Sequence, residues 1–191
     1  MNPVIENIMS RQTIREYTDQ QVPDELLQIV LDAAIRAPSG RNSQPCHLRV
    51  LTNKERLEEM NKDFKDIVGW DTPAYTGWNL RPVYHNAPVF IFIVAPSKDG
   101  MSGGLMAENI ALAAHSLGLG SCMIASLGAL FDNEEGAKKW KEIIDIPQDW
   151  HFVLGMSLGY PNEKPPFKER EDGHFKFIKY GYIYVIFCRK L

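Results

Sequence analysis

The sequence predicts one domain in which helices alternate with strands, and three observations carry that expectation. The chain has 191 residues, 45% of them hydrophobic, which is enough for one core and too few for two comfortable ones. Val89-Phe90-Ile91-Phe92-Ile93-Val94-Ala95 is an unbroken β-branched and aromatic run, the pattern of a central strand covered on both faces. Thr52 with Glu55, and Asp132 with Glu135, each read as a capping box opening a helix. No internal repeat or low-complexity stretch interrupts the alternation.

Near the start, Arg11 and Arg15 stand four apart with Gln12 and Thr13 between them. Two arginines so spaced can converge on one anion, because each guanidinium donates two parallel hydrogen bonds to a phosphate. The plainer reading is a solvated, charged helix end. Val22-Pro23-Asp24-Glu25 opens the next helix, with Pro and two acids in its first turn and Leu27, Val30, Leu31 and Ala34 at helical spacing. Pro38 stops it by disfavouring helical geometry at Ala37. The loop that follows, to Pro45, presents Ser39, Arg41, Asn42 and Gln44. A flat heterocycle whose rim alternates C=O and N–H needs that mixture of donors and acceptors, although the same residues also dominate plain turns.

Leu48 to Leu51 is the next strand, and the helix from Thr52 runs through about Phe64. Asp66 to Asn86 shows no clear period and mixes Trp70, Tyr75, Trp78 and Tyr84 with Pro and Gly; it is a lid over a site or a surface excursion packed on the core. Met101 to Leu117 is a helix stopped by Gly118. It is apolar on more than one face, which in a small chain points to a homodimer with this helix near the interface. Gly118 to Ser126 is a tight turn and short strand whose small residues would let backbone approach a flat ligand. The Asp132 helix carries Trp140 and Ile143, and Phe152 to Leu158 is a strand ended by Gly159-Tyr160-Pro161. A polar, proline-rich stretch, 162–174, holds Lys168 and Arg170. The apolar tail from Phe175 to Cys188 is expected to pair as a strand.

Composition narrows the function classes. A net charge of −3 and a pI near 6.0 give no footprint for nucleic acid, and no apolar run reaches a membrane span. The N-terminus lacks a signal peptide's basic start and apolar segment, so a cytoplasmic location is expected. Cys46, Cys122 and Cys188 are odd in number and scattered, as reduced thiols are, and Cys46 reads as a small buried hydrophobe. His47, His85, His115 and His151 show no ligand spacing, and no metal is expected. Gly155-Met156-Ser157-Leu158-Gly159 matches a hydrolase nucleophile elbow, with Asp172 and His174 following in order. An elbow needs a helix straight after its serine, which Tyr160-Pro161 cannot continue.

Jointly, the motifs resemble the FMN-dependent nitroreductase family from about Ser10 to Arg170. Arg11-Gln12-Thr13-x-Arg15 is similar to the family's N-terminal phosphate motif, and Pro38-Ser39-x-x-Asn42-x-Gln44-Pro45 to its flavin loop. Asn109 through Cys122 is similar to its central helix and following turn, and Lys168-x-Arg170 to its late basic pair. The resemblance implies a single domain over 1–191 of α+β class. Its sheet would be mixed, mainly antiparallel and four-stranded, wrapped by helices, in an intertwined homodimer with two FMN sites at the interface. It places Arg11, Gln12, Thr13, Arg15, Lys168 and Arg170 near the flavin's phosphate, and Pro38, Ser39, Asn42 and Gln44 along its ring and ribityl chain, in part from the other subunit. Met123, Ala125 and Ser126 would present backbone near N5, with Ala125-Ser126 standing where the best-known members carry Glu-Gly. Asn79 and Arg81 are candidates for the pyrimidine edge.

The flavin would carry the redox chemistry, and Gln44 or Arg81 could stabilise charge at N1. The implied activity is NAD(P)H-dependent reduction of nitroaromatics, quinones or similar acceptors by a ping-pong mechanism. No G-x-G-x-x-G follows a strand, as fits a nicotinamide that binds transiently. A dehalogenating or flavin-processing branch, a non-catalytic flavin-storage protein and, remotely, a serine hydrolase stay open.

Overall fold

Seven consecutive apolar residues become the middle of the sheet. In the computed structural model, which describes residues 2–71, 82–179 and 182–184 (backbone alone at 179 and 182–184), strand β2 (Val89–Ala95) is buried along its whole length. It pairs antiparallel with β1 (His47–Leu51) on one edge and with β4 (His151–Gly159) on the other. β3 (Gly120–Ile124) pairs antiparallel with β4 and completes the order β1-β2-β4-β3. All four strands thus pair antiparallel, and the N-terminal segment adds an isolated parallel bridge from Thr13 to Ser121 beside β3.

Because successive side chains on a strand face opposite ways, β2 feeds two separate cores. Val89, Ile91 and Ile93 pack under α2 (Asp24–Ala34) and α4 (Gly100–Ser116). Phe90, Phe92 and Val94 pack under α3 (Lys54–Val68), α5 (Gly128–Asp132) and α6 (Glu134–Ile143), which contribute Phe64, Leu130 and Trp140. Gly155 on β4 makes room for the second core, since a Cβ there would lie 2.4 Å from the Phe90 ring.

The helix boundaries differ from the expected ones for local reasons. Asn53 caps α3 by accepting from Arg56 N–H at 2.9 Å, and Asn133 caps α6 by accepting from Gly136 N–H at 2.9 Å. The caps therefore sit one residue beyond Thr52 and Asp132, because an extended asparagine already offers its carbonyl to the first turn. α4 ends as expected at Gly118, with φ of +75° and Leu119 N–H donating to Ala114 O at 2.9 Å.

α1 (Pro3–Ser10) has no counterpart in the sequence reading, although Asn2 caps it and Pro3 opens it. It lies on α4, where Asn7 Nδ2 donates to Leu112 O at 3.0 Å; Asn109 Nδ2 donates to Ala33 O of α2 at 3.0 Å. Much of α4's apolar perimeter is thus covered within the subunit. α3 runs on to Val68, and Tyr84 is 5% exposed in the second core, so Tyr84 is a core residue rather than part of a lid. Tyr75, Trp78, Asn79 and Arg81 lie outside the described residues. In the tail, β5 (Phe177–Lys179) pairs antiparallel with β6 (Tyr182–Tyr184). Among the described residues no helix is long and apolar enough to cross a membrane.

Candidate active site

The two N-terminal arginines lie past the end of α1, with Arg11 as its extended C-cap, so the segment is not a charged helix end. It is laid along β3: Ile14 N–H donates to Ser121 O at 3.0 Å, and the Ile14 side chain fills the space a Cβ on Gly120 would need, 2.7 Å away. The smallness of Gly120, read in the sequence as room for a ligand, is used by Ile14. Beyond it, Tyr17 bridges Pro161, Thr18 N–H donates to Tyr160 O at 3.0 Å and Asn162 N–H to Glu16 O at 2.8 Å.

Glu163 closes this zipper. One carboxylate oxygen accepts from the backbone N–H groups of both Arg15 and Glu16, the latter at 3.1 Å. The Gln12 amide, turned with its nitrogen toward the carbonyls of Pro165 and Pro166, donates to them at 3.3 and 2.9 Å. The N-terminal motif is thereby joined to the start of the stretch that carries Lys168 and Arg170, both of which stand exposed.

Arg15 faces Cys122, whose thiol is pushed up by burial while the guanidinium pulls the other way. Tyr17, raised well above the usual phenol by burial and next by Cys122 and Glu163, donates its hydroxyl to Ile14 O at 2.6 Å. Both groups stay protonated at neutral pH, and the tyrosine hydroxyl ties off the Ile14 carbonyl within the arginine segment. Arg11 is loosely paired, its Nε 3.9 Å from Glu108 Oε1.

The second motif forms an exposed turn. Ser39 Oγ accepts from Gln44 N–H at 2.9 Å and Gln44 Nε2 donates to Asn42 O at 3.3 Å. Arg41, Asn42 and Gln44 have φ of +54°, +56° and +47°, left-handed geometry that L residues adopt at a cost and that clusters at functional sites. Pro38, Ser39 and Gln44 line a cavity of about 300 Å³ with Cys46, Ser102 and Met106. The Cys46 thiol is raised by burial and then by Asp99, as befits a packed hydrophobe. Neither Arg11 nor Arg15 reaches this cavity. The structure therefore does not bring the two motifs together within one subunit.

At the far end of β3, Met123 is 42% exposed and Ala125 and Ser126 are exposed in the turn after it. Ser157 is fully buried and donates to Tyr84 O at 2.9 Å, inside β4 and with no helix following, so the elbow match has no chemistry behind it. Glu163 and Tyr17 are the site residues the sequence did not reveal. Their partners lie over a hundred residues away or depend on the fold, and no local spacing marks them.

The α+β fold lays the Arg11–Arg15 segment along the edge of an antiparallel sheet, beside β3. The chain belongs to the nitroreductase family, whose family model matches residues 8–160. It is 31% identical over 180 residues to an Archaeoglobus fulgidus protein named as an NADH dehydrogenase/NAD(P)H nitroreductase, covering 90% of this chain and 93% of that one. To the NADPH-flavin oxidoreductase of Vibrio harveyi it is 25% identical, with 91% and 72% covered. A nitroreductase with bound FMN from Desulfitobacterium hafniense superimposes with a TM-score of 0.85 at 27% identity, over 94% of this chain and 100% of that one.

Proposed function

We propose that the protein is an NAD(P)H-dependent flavin oxidoreductase that holds FMN. The observation that carries this reading is the Arg11–Arg15 segment, fixed in extended form on the edge of β3 by bonds to Ser121 and Glu163. In this reading Arg11, Gln12, Thr13 and Arg15, with Lys168 and Arg170, hold the phosphate. Guanidinium pairs suit that dianion because their hydrogen bonds are charge-assisted and bidentate. Met123, Ala125 and Ser126, exposed residues at the end of β3, present their backbone to the ring's central edge in this reading. Pro38, Ser39, Asn42 and Gln44 meet the ring from a second subunit, since their own subunit's arginines lie elsewhere.

A homodimer follows from the same reading. Val4, Ile5, Ile8 and Met9 on α1 are 45–65% exposed, an apolar surface that a second copy would cover. The bound flavin supplies hydride-transfer chemistry. The chain's own part is to fix the phosphate, orient the ring and leave one face open for NAD(P)H and the acceptor to occupy in turn, which predicts ping-pong kinetics with a nitroaromatic or quinone acceptor.

The test is the visible spectrum of the anaerobic protein before and after NADH and then NADPH. A flavin band that bleaches with either donor supports the reading. A band that neither donor bleaches favours a storage protein, and a protein that takes up no FMN overturns it.

A further inference from the structure

At the end of β3 remote from Ile14 lies a cavity of about 520 Å³ that adjoins the proposed flavin site at Ala125 and extends away from it. An irregularity in the sheet shapes it. β3 pairs with β4 only over Gly155–Gly159, so among the described residues His151 to Leu154 have no β3 partner. On β4's other edge Ile93 pairs with Leu154 but Val94 with Phe152, which makes Val153 the extra residue of a bulge. Bulges bend a strand and re-aim its side chains, and they recur beside binding sites.

The wall beside this bulge is aromatic. α5 turns away after Ala125 and lays the Phe131 ring flat on Phe152, with centroids 4.8 Å apart and planes 5° from parallel. Trp150 adds a third ring, held at 4.7 Å from His47.

Two cations share the lining, Lys98 and Lys141. Lys98 Nζ is 3.8 Å from Asp132 Oδ1, and both side chains are about three-quarters exposed, 73% and 75%. Such a pair contributes little and yields readily to a competing anion. Lys141 donates to Gln148 O at 2.6 Å, which uses one of an ammonium's three donors.

We propose that this cavity binds a small aromatic carboxylate at a site separate from the flavin's. A flat ring matches the stacked wall, and one carboxylate matches two lysines opposed by a single aspartate. A neutral ring would leave Lys98 with only its loose pairing to Asp132 and add nothing at Lys141, and a bare phosphate would leave the rings unused. The volume lies within the ordinary range for small-molecule sites, roughly 300–1,000 Å³. Of the described residues assigned to FMN, only Ala125 also lines the cavity, so among the described residues the two sites adjoin without sharing a charged group.

Calorimetric titration with 2-naphthoate tests this, on the protein as purified and again after saturation with FMN. The expected result is one naphthoate per chain in both states, with 2-naphthalenemethanol and cyclohexanecarboxylate each at least tenfold weaker. Lys98→Met with Lys141→Met should weaken naphthoate at least tenfold and leave flavin content and circular dichroism unchanged. Phe131→Leu should lose the preference for naphthoate over cyclohexanecarboxylate. Absence of naphthoate binding, equal affinity for the alcohol or undiminished binding by the lysine variant would overturn the proposal. Displacement of naphthoate by FMN would overturn it too, by making the cavity part of the flavin site.

Discussion

Between Arg11 and Thr18 the backbone is tied to Ser121 on one side and to Tyr160, Asn162 and Glu163 on the other. Between Pro38 and Gln44 the bonds run within the loop, Asn42 N–H to Ser39 O and Ser43 N–H to Gly40 O among them. The two stretches have similar polar composition and opposite mechanical states. The first is a fixed edge, half-buried and zipped across more than a hundred residues of sequence. The second is an exposed turn that carries strain. A fixed edge suits a ligand group whose position must not change, such as a phosphate. A strained turn on the surface suits a contact completed when something docks on it. Substitutions should therefore damage stability and binding together in the first stretch and separate them in the second.

The largest effect is expected from Arg11→Ala with Arg15→Ala. Each charge-assisted phosphate bond contributes on the order of 1.5–3 kcal/mol, so FMN affinity should fall at least a hundredfold. Flavin retained in stoichiometric amount through gel filtration would refute the phosphate assignment. Next comes Glu163→Ala, which strips the acceptor from two backbone N–H groups. A loss of about 1–3 kcal/mol corresponds to a melting temperature lower by roughly 2–12 °C in a domain of this size, read on the flavin-free protein. Glu163→Gln keeps one acceptor and should recover much of it. An unchanged melting temperature in Glu163→Ala would mean the zipper is not what fixes the edge.

The fixed edge and the strained turn also differ in how far sequence could reveal them. β2 was legible because seven apolar residues in a row admit few other fates, and the end of α4 because Gly118 supplies the left-handed turn a helix stop needs. The arginine spacing was visible, but its geometry depends on Glu163, which lies 148 positions from Arg15 and carries no mark of that partnership. The polar loop was visible as chemistry, while the positive φ at Arg41 and Gln44 was not, because neither residue favours that conformation locally. α1 was missed although Asn2-Pro3 signals a helix start. Nothing in it is buried: its apolar residues stay exposed, and it is tied to α4 by polar contacts such as the Asn7 amide on Leu112 O, which no local spacing marks.

Arg41→Gly sharpens the comparison from the loop's side. Glycine adopts positive φ without steric cost, so relieving the strain should stabilise the flavin-free protein by about 1 kcal/mol or less, a rise of roughly 1–3 °C. The same change lets the loop wander before binding, and FMN affinity should fall severalfold as pre-organisation is lost. Stability and affinity that rise together would show that the strain serves no binding role.

The smallest effect concerns how α1 is held beside the fixed edge. Ser10 Oγ donates to Glu6 O at 2.7 Å, which leaves His115 Nε2–H to donate to Ser10 Oγ at 2.9 Å. Burial, and then the nearby Arg11 cation, hold His115 below its ordinary value of 6.5, while Arg11 itself stands 3.9 Å from Glu108. A histidine depressed in the folded state takes up its proton more readily when unfolded. Its contribution is therefore intact above pH 6.5 and declines as pH falls below it. His115→Gln should flatten the fall in melting temperature between pH 7.5 and 5.5, other groups contributing equally in both proteins. Identical slopes in wild type and variant would remove His115 from any part in docking α1.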